Sequence, residues 1–151
     1  MLNKMEPGKS DWEKSYTILE VDSISNELLK RFAHIKIWLF EGQLGAGKTT
    51  LIQHLARLLK VTEEVNSPTF SLINEYKSDT FEIIYHLDLY RLKSLEEALE
   101  IGLFELIDSG YFCLIEWASA IELKPAEPYI LIEIEHLNQE RRHLSVRIHE
   151  N

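Results

Sequence analysis

The sequence predicts an α/β fold in three layers, with helices on both faces of a mostly parallel central sheet that carries antiparallel additions. Two observations support this prediction. Apolar runs of strand length alternate with stretches whose apolar residues recur at helical spacing, which is typical of α/β sheets. Further pairs of strand-like runs are joined by short polar turns, which predicts hairpins and therefore antiparallel strands. The 151 residues are enough for one domain with a hydrophobic core.

Residues 1–14 are polar, so we expect a flexible N-terminal tail there and a single domain over residues 15–151. A Ser-x-x-Glu capping box at residues 94–97 predicts the start of a helix after the first hairpin. The other predicted elements, in chain order, are a strand at 15–21, a helix at 23–33, a buried strand at 35–40, a helix at 51–59, a hairpin of 70–76 and 80–87 around 77–79, a buried strand at 111–115, and an antiparallel pair of 129–135 and 143–149.

Composition narrows the class of protein. The formal net charge is -9, and an acidic chain binds nucleic acid poorly by itself, so we expect a partner to hold any RNA. The single cysteine, Cys113, lies in an apolar run and is predicted to be buried and inert. One cysteine allows no intramolecular disulfide, and no apolar run approaches membrane-spanning length. These features favour a cytoplasmic location.

The most informative motif is the run Gly-Gln-Leu-Gly-Ala-Gly-Lys-Thr-Thr at residues 42–50, which fits the phosphate-binding P-loop pattern G-x-x-x-x-G-K-[ST]. A predicted buried strand precedes it and a predicted helix follows it, which is the context that a P-loop requires. Glycines let the backbone N–H groups point at phosphate oxygens. Lys48 is expected to reach the β- and γ-phosphates, and the Thr49 hydroxyl to ligate Mg²⁺. The fold is therefore predicted to resemble P-loop NTPases.

Two acidic residues follow apolar strands in the same chain. Asp88 ends one strand-like run and Glu116 ends another, where α/β sheets bind ligands. A P-loop enzyme needs an acid there to hold Mg²⁺ or its water shell, and a group to orient the attacking water. The alternative is a pair of surface carboxylates. Thr69, in the loop after the P-loop helix, either senses the γ-phosphate or Mg²⁺ or is an ordinary turn threonine.

Three neighbours of these acids have open interpretations. His86 is interpreted as a hydrogen-bonded structural residue rather than a catalyst. Arg91 could stabilise transition-state charge, but pairing with a carboxylate is favoured. Trp117 is either a core residue or a partly exposed aromatic beside the nucleotide.

Taken in order, four motifs resemble the TsaE (YjeE) family of bacterial P-loop ATPases. They are the P-loop at 42–50, Ser-Pro-Thr-Phe at 67–70, His-Leu-Asp-Leu-Tyr-Arg-Leu at 86–92 and Ile-Glu-Trp at 115–117. Their order and spacing match the family from about residue 15 to 148. The combination is far more specific than any one motif.

The resemblance implies an ATP- and Mg²⁺-dependent ATPase subunit that is needed to form N6-threonylcarbamoyladenosine in tRNA, on the adenosine next to the anticodon. The implied partners are TsaD, which transfers the threonylcarbamoyl group, and TsaB, its scaffold, with tRNA met only through the complex. By position, Thr49 and Glu116 are implied to hold Mg²⁺, Asp88 to position water at the γ-phosphate, and Thr69 to lie in a switch loop. The implied nucleotide-binding residues are Ser25, Gly45, Ala46, Gly47, Lys48, Thr49, Thr50 and Asp88.

Two other classes of function stay open from the sequence. A small-molecule kinase on a P-loop scaffold would carry several lid arginines, yet only Arg57 and Arg91 lie between the P-loop and Glu116. A nucleotide-gated binding module such as a GTPase-like switch would carry Asn-Lys-x-Asp late in the chain. Here Asn-Lys occurs at residues 3–4 without the aspartate. Adenine is therefore favoured over guanine.

Overall fold

The computed structural model describes residues 10–68 and 71–150. These residues form one seven-stranded sheet in the order β1-β7-β6-β2-β5-β4-β3. The strands are β1 Trp12–Thr17, β2 Ile37–Glu41, β3 Ile73–Ser78, β4 Glu82–Asp88, β5 Phe112–Glu116, β6 Tyr129–His136 and β7 Arg141–His149. The helices are α1 Val21–Phe32, α2 Lys48–Leu58, α3 Leu95–Glu100 and α4 Leu103–Ile107, with 3₁₀ turns at Ile18–Glu20 and Ala118–Ile121.

The predicted fold class is confirmed. Strands β6, β2, β5 and β4 are parallel to their neighbours in the centre of the sheet, whereas β1, β7 and β3 pair antiparallel at its two sides. Residues alternate between the faces of each strand, so β2 contributes Trp38 and Phe40 to one core and Ile37 and Leu39 to the other. Helices α1 and α2 cover the first face. Helices α3 and α4 cover the second face, which completes three layers.

The N-terminal boundary differs from the prediction. Strand β1 begins at Trp12, which pairs with Val146 of β7, so the predicted tail is wrong for residues 12–14. The strand predicted at 15–21 stops at Thr17. There the Glu20 carboxylate accepts hydrogen bonds from the Thr17 N–H at 3.0 Å and from its hydroxyl at 3.1 Å. This local cap favours a helical turn over continued pairing, and α1 then begins at Val21, two residues before its predicted start.

The first hairpin is confirmed, with its turn displaced. Strands β3 and β4 pair antiparallel, and Ser78 closes β3 although a turn was predicted at 77–79. The Ser78 hydroxyl oxygen accepts hydrogen bonds from the N–H groups of Thr80, at 3.3 Å, and Phe81, at 3.0 Å, which moves the turn to the residues after it. The predicted helix start is also confirmed, because the Ser94 side chain accepts from the Glu97 N–H at the start of α3. The capping box is only half formed, since the Glu97 carboxylate accepts from the Lys93 N–H and not from that of Ser94. None of the helices within 10–68 and 71–150 has the length and apolar character to cross a membrane.

Cys113 is the second residue of β5, and its side chain is fully buried in the second core. Burial raises the pKa of its thiol to about 12. The thiolate is the reactive form, and an unperturbed cysteine has a pKa of about 8.5. The sequence prediction of a buried thiol is therefore confirmed.

We predict that Cys113 in the folded protein reacts with an aromatic disulfide reagent about three orders of magnitude more slowly than in the unfolded chain, because only the thiolate attacks. The measurement is the rate of thiol release at mildly alkaline pH, with and without denaturant. The chain has one cysteine, so the signal needs no assignment. Equal rates in both conditions would show that β5 is accessible in the native state.

Candidate functional site

The P-loop connects the buried strand β2 to helix α2, which begins at Lys48. Gly47 precedes this helix with a φ of 104°, a left-handed conformation that a residue with a side chain rarely adopts. Gly42 is required for a different reason, since a Cβ there would lie 2.6 Å from the Ile134 carbonyl oxygen of β6. The two glycines thus give the loop its sharp turn and its close packing on the neighbouring strand.

Lys48 is buried at the centre of this loop, with 5% of its surface exposed. Its ammonium donates hydrogen bonds to the carbonyl oxygens of Gly42, at 2.5 Å, and Gln43, at 3.1 Å. It also lies 4.2 Å from the centre of the Trp117 ring, within the range of a cation–π contact. Burial lowers the pKa of Lys48, and the nearby carboxylates, Glu116 foremost, oppose that shift. The sequence prediction for Trp117 left two alternatives, and the structure places its ring beside the P-loop lysine.

Asp88 and Glu116 lie side by side at the carboxyl edge of the sheet. The parallel register of β4 and β5 makes them direct neighbours, and both are nearly buried, at 6% and 3% exposed. They line one groove of about 240 Å³ together with Lys48 and Thr49. The two acids that the sequence predicted at strand ends therefore meet at the P-loop.

The Glu116 carboxylate joins two other side chains, Thr49 and His86, through hydrogen bonds. One carboxylate oxygen accepts from the Thr49 hydroxyl at 3.1 Å, and the other lies 2.8 Å from Nε2 of His86, which donates to it. His86 is fully buried, and its Nδ1 has no hydrogen-bond partner among residues 10–68 and 71–150. The interpretation of His86 as a hydrogen-bonded buried residue agrees with this placement, and its partner is a site carboxylate.

Asp88 is held from two directions. One carboxylate oxygen accepts from the Tyr90 N–H at 3.0 Å, and the other lies 3.4 Å from the Ser67 hydroxyl. Ser67 belongs to the loop that was predicted to act as a switch. Thr69, the predicted sensor in this loop, lies outside the described residues. Tyr90 in turn packs on Trp117, with ring centres 4.9 Å apart.

The structure does not bring Ser25 to this site. Its side chain is fully buried in α1, and its hydroxyl donates to the Val21 carbonyl one turn earlier, at 2.8 Å. Within the described part of the chain, Ser25 lines neither of the grooves beside the P-loop. The prediction of a nucleotide contact from Ser25 therefore disagrees with this structure, because the hydroxyl faces its own helix.

A second groove, of about 330 Å³, lies on the other side of the P-loop. Its walls include Tyr16, Val21 and Arg142, and it shares Gly45, Gly47 and Thr50 with the groove that holds the acids. Sequence reasoning did not identify these wall residues. They come from β1, α1 and β7, and no local motif marks them.

Glu41 is another residue that sequence reasoning missed. It ends β2 directly before the P-loop, and its carboxylate accepts from the Ser119 N–H at 2.8 Å and the Ser119 hydroxyl at 2.9 Å. Burial raises the pKa of Glu41, although the bonds from Ser119 act against the shift. A signal was present, because Glu41 is an acid at the end of an apolar strand, as Asp88 and Glu116 are.

The site can be tested for its fit to Mg²⁺, the ion that accompanies nucleoside triphosphates. Across residues 10–68 and 71–150, no cluster of three or more His, Cys, Asp or Glu side chains is placed to hold a metal alone. Mg²⁺ in nucleotide sites does not need such a cluster, since one or two protein oxygens join the phosphates and water as ligands. The Thr49 hydroxyl and the Glu116 carboxylate, 3.1 Å apart, are oxygen donors of that kind. Thr49 and Glu116 therefore fit a Mg²⁺ ion that completes its coordination with phosphate and water.

Comparison with protein families identifies one match. A family model described as "Threonylcarbamoyl adenosine biosynthesis protein TsaE" matches residues 16–144. Among solved structures, the crystal structure of YdiB from Bacillus subtilis superposes with a TM-score of 0.69 and 29% sequence identity. The match covers 89% of this chain and 84% of that one.

Curated relatives carry the name "tRNA threonylcarbamoyladenosine biosynthesis protein TsaE". The protein from Rickettsia bellii is 38% identical over 133 residues, 85% of this chain and 91% of that protein. The Bacillus subtilis protein is 38% identical over 105 residues, 70% of this chain and 65% of its own length. The Nostoc protein is 46% identical over 93 residues, 58% of this chain and 56% of its own length. The aligned part thus spans less than two thirds of the Bacillus and Nostoc proteins.

We predict a coupling energy of about 1.5–3 kcal/mol between His86 and Glu116, the range for a hydrogen bond to a charged group. The measurement is a double-mutant cycle of unfolding free energies in urea with His86→Leu, Glu116→Ala and both. The cycle cancels the cost of the unpaired Nδ1, which a single substitution would confuse with the bond. The control cycle pairs His86→Leu with Asp79→Ala, an exposed acid beyond the far end of β4, and should show no coupling. Equal coupling energies in the two cycles would contradict a stabilising hydrogen bond between His86 and Glu116.

Proposed function

The chain belongs to the TsaE family, and from this membership and the geometry of its P-loop we propose that it is a Mg²⁺-dependent ATPase. We further propose that it acts with TsaD-like and TsaB-like proteins in forming N6-threonylcarbamoyladenosine in tRNA. In this proposal the chain does not transfer the threonylcarbamoyl group. The observation that carries the ATPase assignment is the hydrogen bond from Thr49 to Glu116 at the mouth of the P-loop, with Asp88 in the adjacent register position.

Each residue of the site receives a distinct task. The Lys48 ammonium, already among backbone acceptors and carboxylates, would bind the β- and γ-phosphates. Backbone N–H groups between Gly45 and Thr50 would bind beside it, except that of Ala46, which donates to the Gln43 carbonyl. Thr49 and Glu116 would hold Mg²⁺, which neutralises charge on the phosphates when bound. Asp88 would orient the attacking water, and Thr69 would sense the γ-phosphate from its loop.

The groove beyond the P-loop is the proposed site of the adenosine. It shares Gly45, Gly47 and Thr50 with the groove of the acids, so one extended ligand can occupy both. Its lining by Tyr16 and Val21 supports an apolar, ring-shaped group at that end. The open alternatives are a guanine nucleotide in this groove and a phosphate acceptor beside Asp88, as in a kinase.

The net charge supports an indirect contact with tRNA. At -9 the chain repels a polyanion, so a partner is expected to carry the RNA. The proposed location is the cytoplasm, where such a complex would meet its tRNA.

We predict that Lys48→Ala weakens ATP binding by roughly 10- to 100-fold, the equivalent of one bond to a charged group. In contrast, Asp88→Ala and Glu116→Ala should retain most of the affinity and lose at least about 100-fold in turnover, as lost positioning implies. Calorimetric titration and phosphate release measure the two quantities, with Asp79→Ala as a matched acid-to-alanine control. Unchanged affinity in Lys48→Ala would remove the nucleotide site. Unchanged turnover in both acid variants would leave them as structural carboxylates.

We also predict slow hydrolysis by the isolated chain, because the described site shows no closing lid and the sequence has no obvious arginine finger, Arg91 being expected to pair with a carboxylate. TsaD-like and TsaB-like partners should raise turnover, and ATP should be preferred to GTP. The measurements are phosphate release with each nucleotide, alone and with partners, and tRNA binding at physiological salt. The proposal would be contradicted by fast hydrolysis whose rate does not change when the partners are added, or by tight binding of tRNA to the chain alone. Transfer of phosphate to a small acceptor would favour the kinase.

A further inference from the structure

Two side chains of the β6–β7 hairpin contact the backbone of the P-loop. His136, the last residue of β6, donates from Nε2 to the Gly45 carbonyl oxygen at 2.8 Å. Arg142, the second residue of β7, donates from Nε to the Ala46 carbonyl oxygen at 3.1 Å. The contacts join residues that are 91 and 96 positions apart in the chain. Neither residue belongs to the groove that holds Asp88 and Glu116.

Each of these hydrogen bonds fixes a carbonyl group of the P-loop and thereby also fixes the direction of the N–H group in the same peptide unit. In a planar trans peptide the C=O and the following N–H point in opposite directions. A donor that holds the Ala46 carbonyl from outside the loop therefore turns the Gly47 N–H to the other side. The Ala46 N–H, opposite the carbonyl that His136 contacts, donates to the Gln43 carbonyl at 3.0 Å. His136 thus supports the turn at the loop tip, and Arg142 orients the amide of Gly47.

The hairpin is itself held firmly enough to act as a support. The Asn138 side-chain oxygen accepts from the N–H groups of Glu140, at 2.9 Å, and Arg141, at 3.0 Å. The Arg142 guanidinium also donates to the Asn138 carbonyl at 3.2 Å. Strand β6 pairs along β2, the strand that leads into the P-loop. The hairpin turn and the loop are therefore fixed to the same part of the sheet.

We propose that Arg142 and His136 are positioning residues that hold the P-loop in its phosphate-binding conformation from outside, through the carbonyls of Ala46 and Gly45. This inference rests on the proposed function, because it assumes that phosphate binds inside the loop. Amides that are oriented before the ligand arrives do not lose affinity to reorganisation. The positive charge of Arg142 also polarises the peptide so that the Gly47 N–H becomes a stronger donor to an anion.

The test compares Arg142→Met, Arg142→Lys and His136→Leu with Arg141→Met. Arg141 is the matched control, because it is the adjacent, exposed arginine whose side chain lies on the opposite face of β7. The probes are ATP and inorganic tripolyphosphate, which lacks the base and ribose. We expect Arg142→Met to weaken both probes by the same factor, about tenfold, as loss of preorganisation implies. Arg142→Lys should restore part of the loss, His136→Leu should show a smaller effect, and Arg141→Met should bind as the wild type does.

A ligand-free readout accompanies the binding series. Amide hydrogen exchange of residues 42–50 should be faster in Arg142→Met than in Arg141→Met, while the free energy of unfolding stays similar. Loss of affinity for ATP but not for tripolyphosphate would overturn the proposal, since Arg142 would then act on the nucleoside in the adjoining groove. Wild-type binding of both probes by Arg142→Met would overturn it while leaving the proposed function intact. Failure of the wild-type chain to bind either probe would overturn the proposed function as well.

Discussion

The site depends on the burial of one positive charge. Lys48 exposes only 5% of its surface, and an ammonium removed from water is costly unless negative groups and hydrogen-bond acceptors replace the solvent. The loop carbonyls of Gly42 and Gln43 supply the acceptors. The carboxylates of Glu116, Glu41 and Asp88 supply the negative charge. A sheet edge with three acids at the ends of neighbouring strands would repel itself without this cation, so the lysine and the acids stabilise one another.

The acids are in turn held by groups that leave them little freedom. Glu116 lies between Thr49 and His86, and Glu41 accepts two hydrogen bonds from Ser119 in the turn that follows Trp117. His86 leaves one buried ring nitrogen without a partner among the described residues, which costs stability. An apolar residue would avoid that cost but could not donate to Glu116. The arrangement therefore favours a defined carboxylate orientation over maximal stability.

Sequence reasoning predicted what depends on local spacing, and its errors occur where longer contacts decide. The P-loop, the two strand-end acids and the types of most elements follow from residues close together in the chain. The start of β1 at Trp12 does not follow from nearby residues, because its pairing partner β7 lies at the other end of the sequence. Ser25 is a different case: its nucleotide contact was implied by the family resemblance, whereas in the structure its hydroxyl donates to the Val21 carbonyl four residues earlier in α1. Glu41 could have been predicted by the rule that found Asp88.

The sequence by itself determined that this chain has a loop of the P-loop pattern between a buried strand and a helix, since a glycine pattern, a lysine and a hydroxyl at fixed offsets need no distant partner. Only the tertiary structure decided which side chains surround that loop. The parallel register of β4 and β5 places Asp88 beside Glu116, and the position of β6 between β2 and β7 brings Arg142 to the loop backbone. Strand order and register arise from the packing of both faces of the sheet at once, so no single stretch of sequence encodes them.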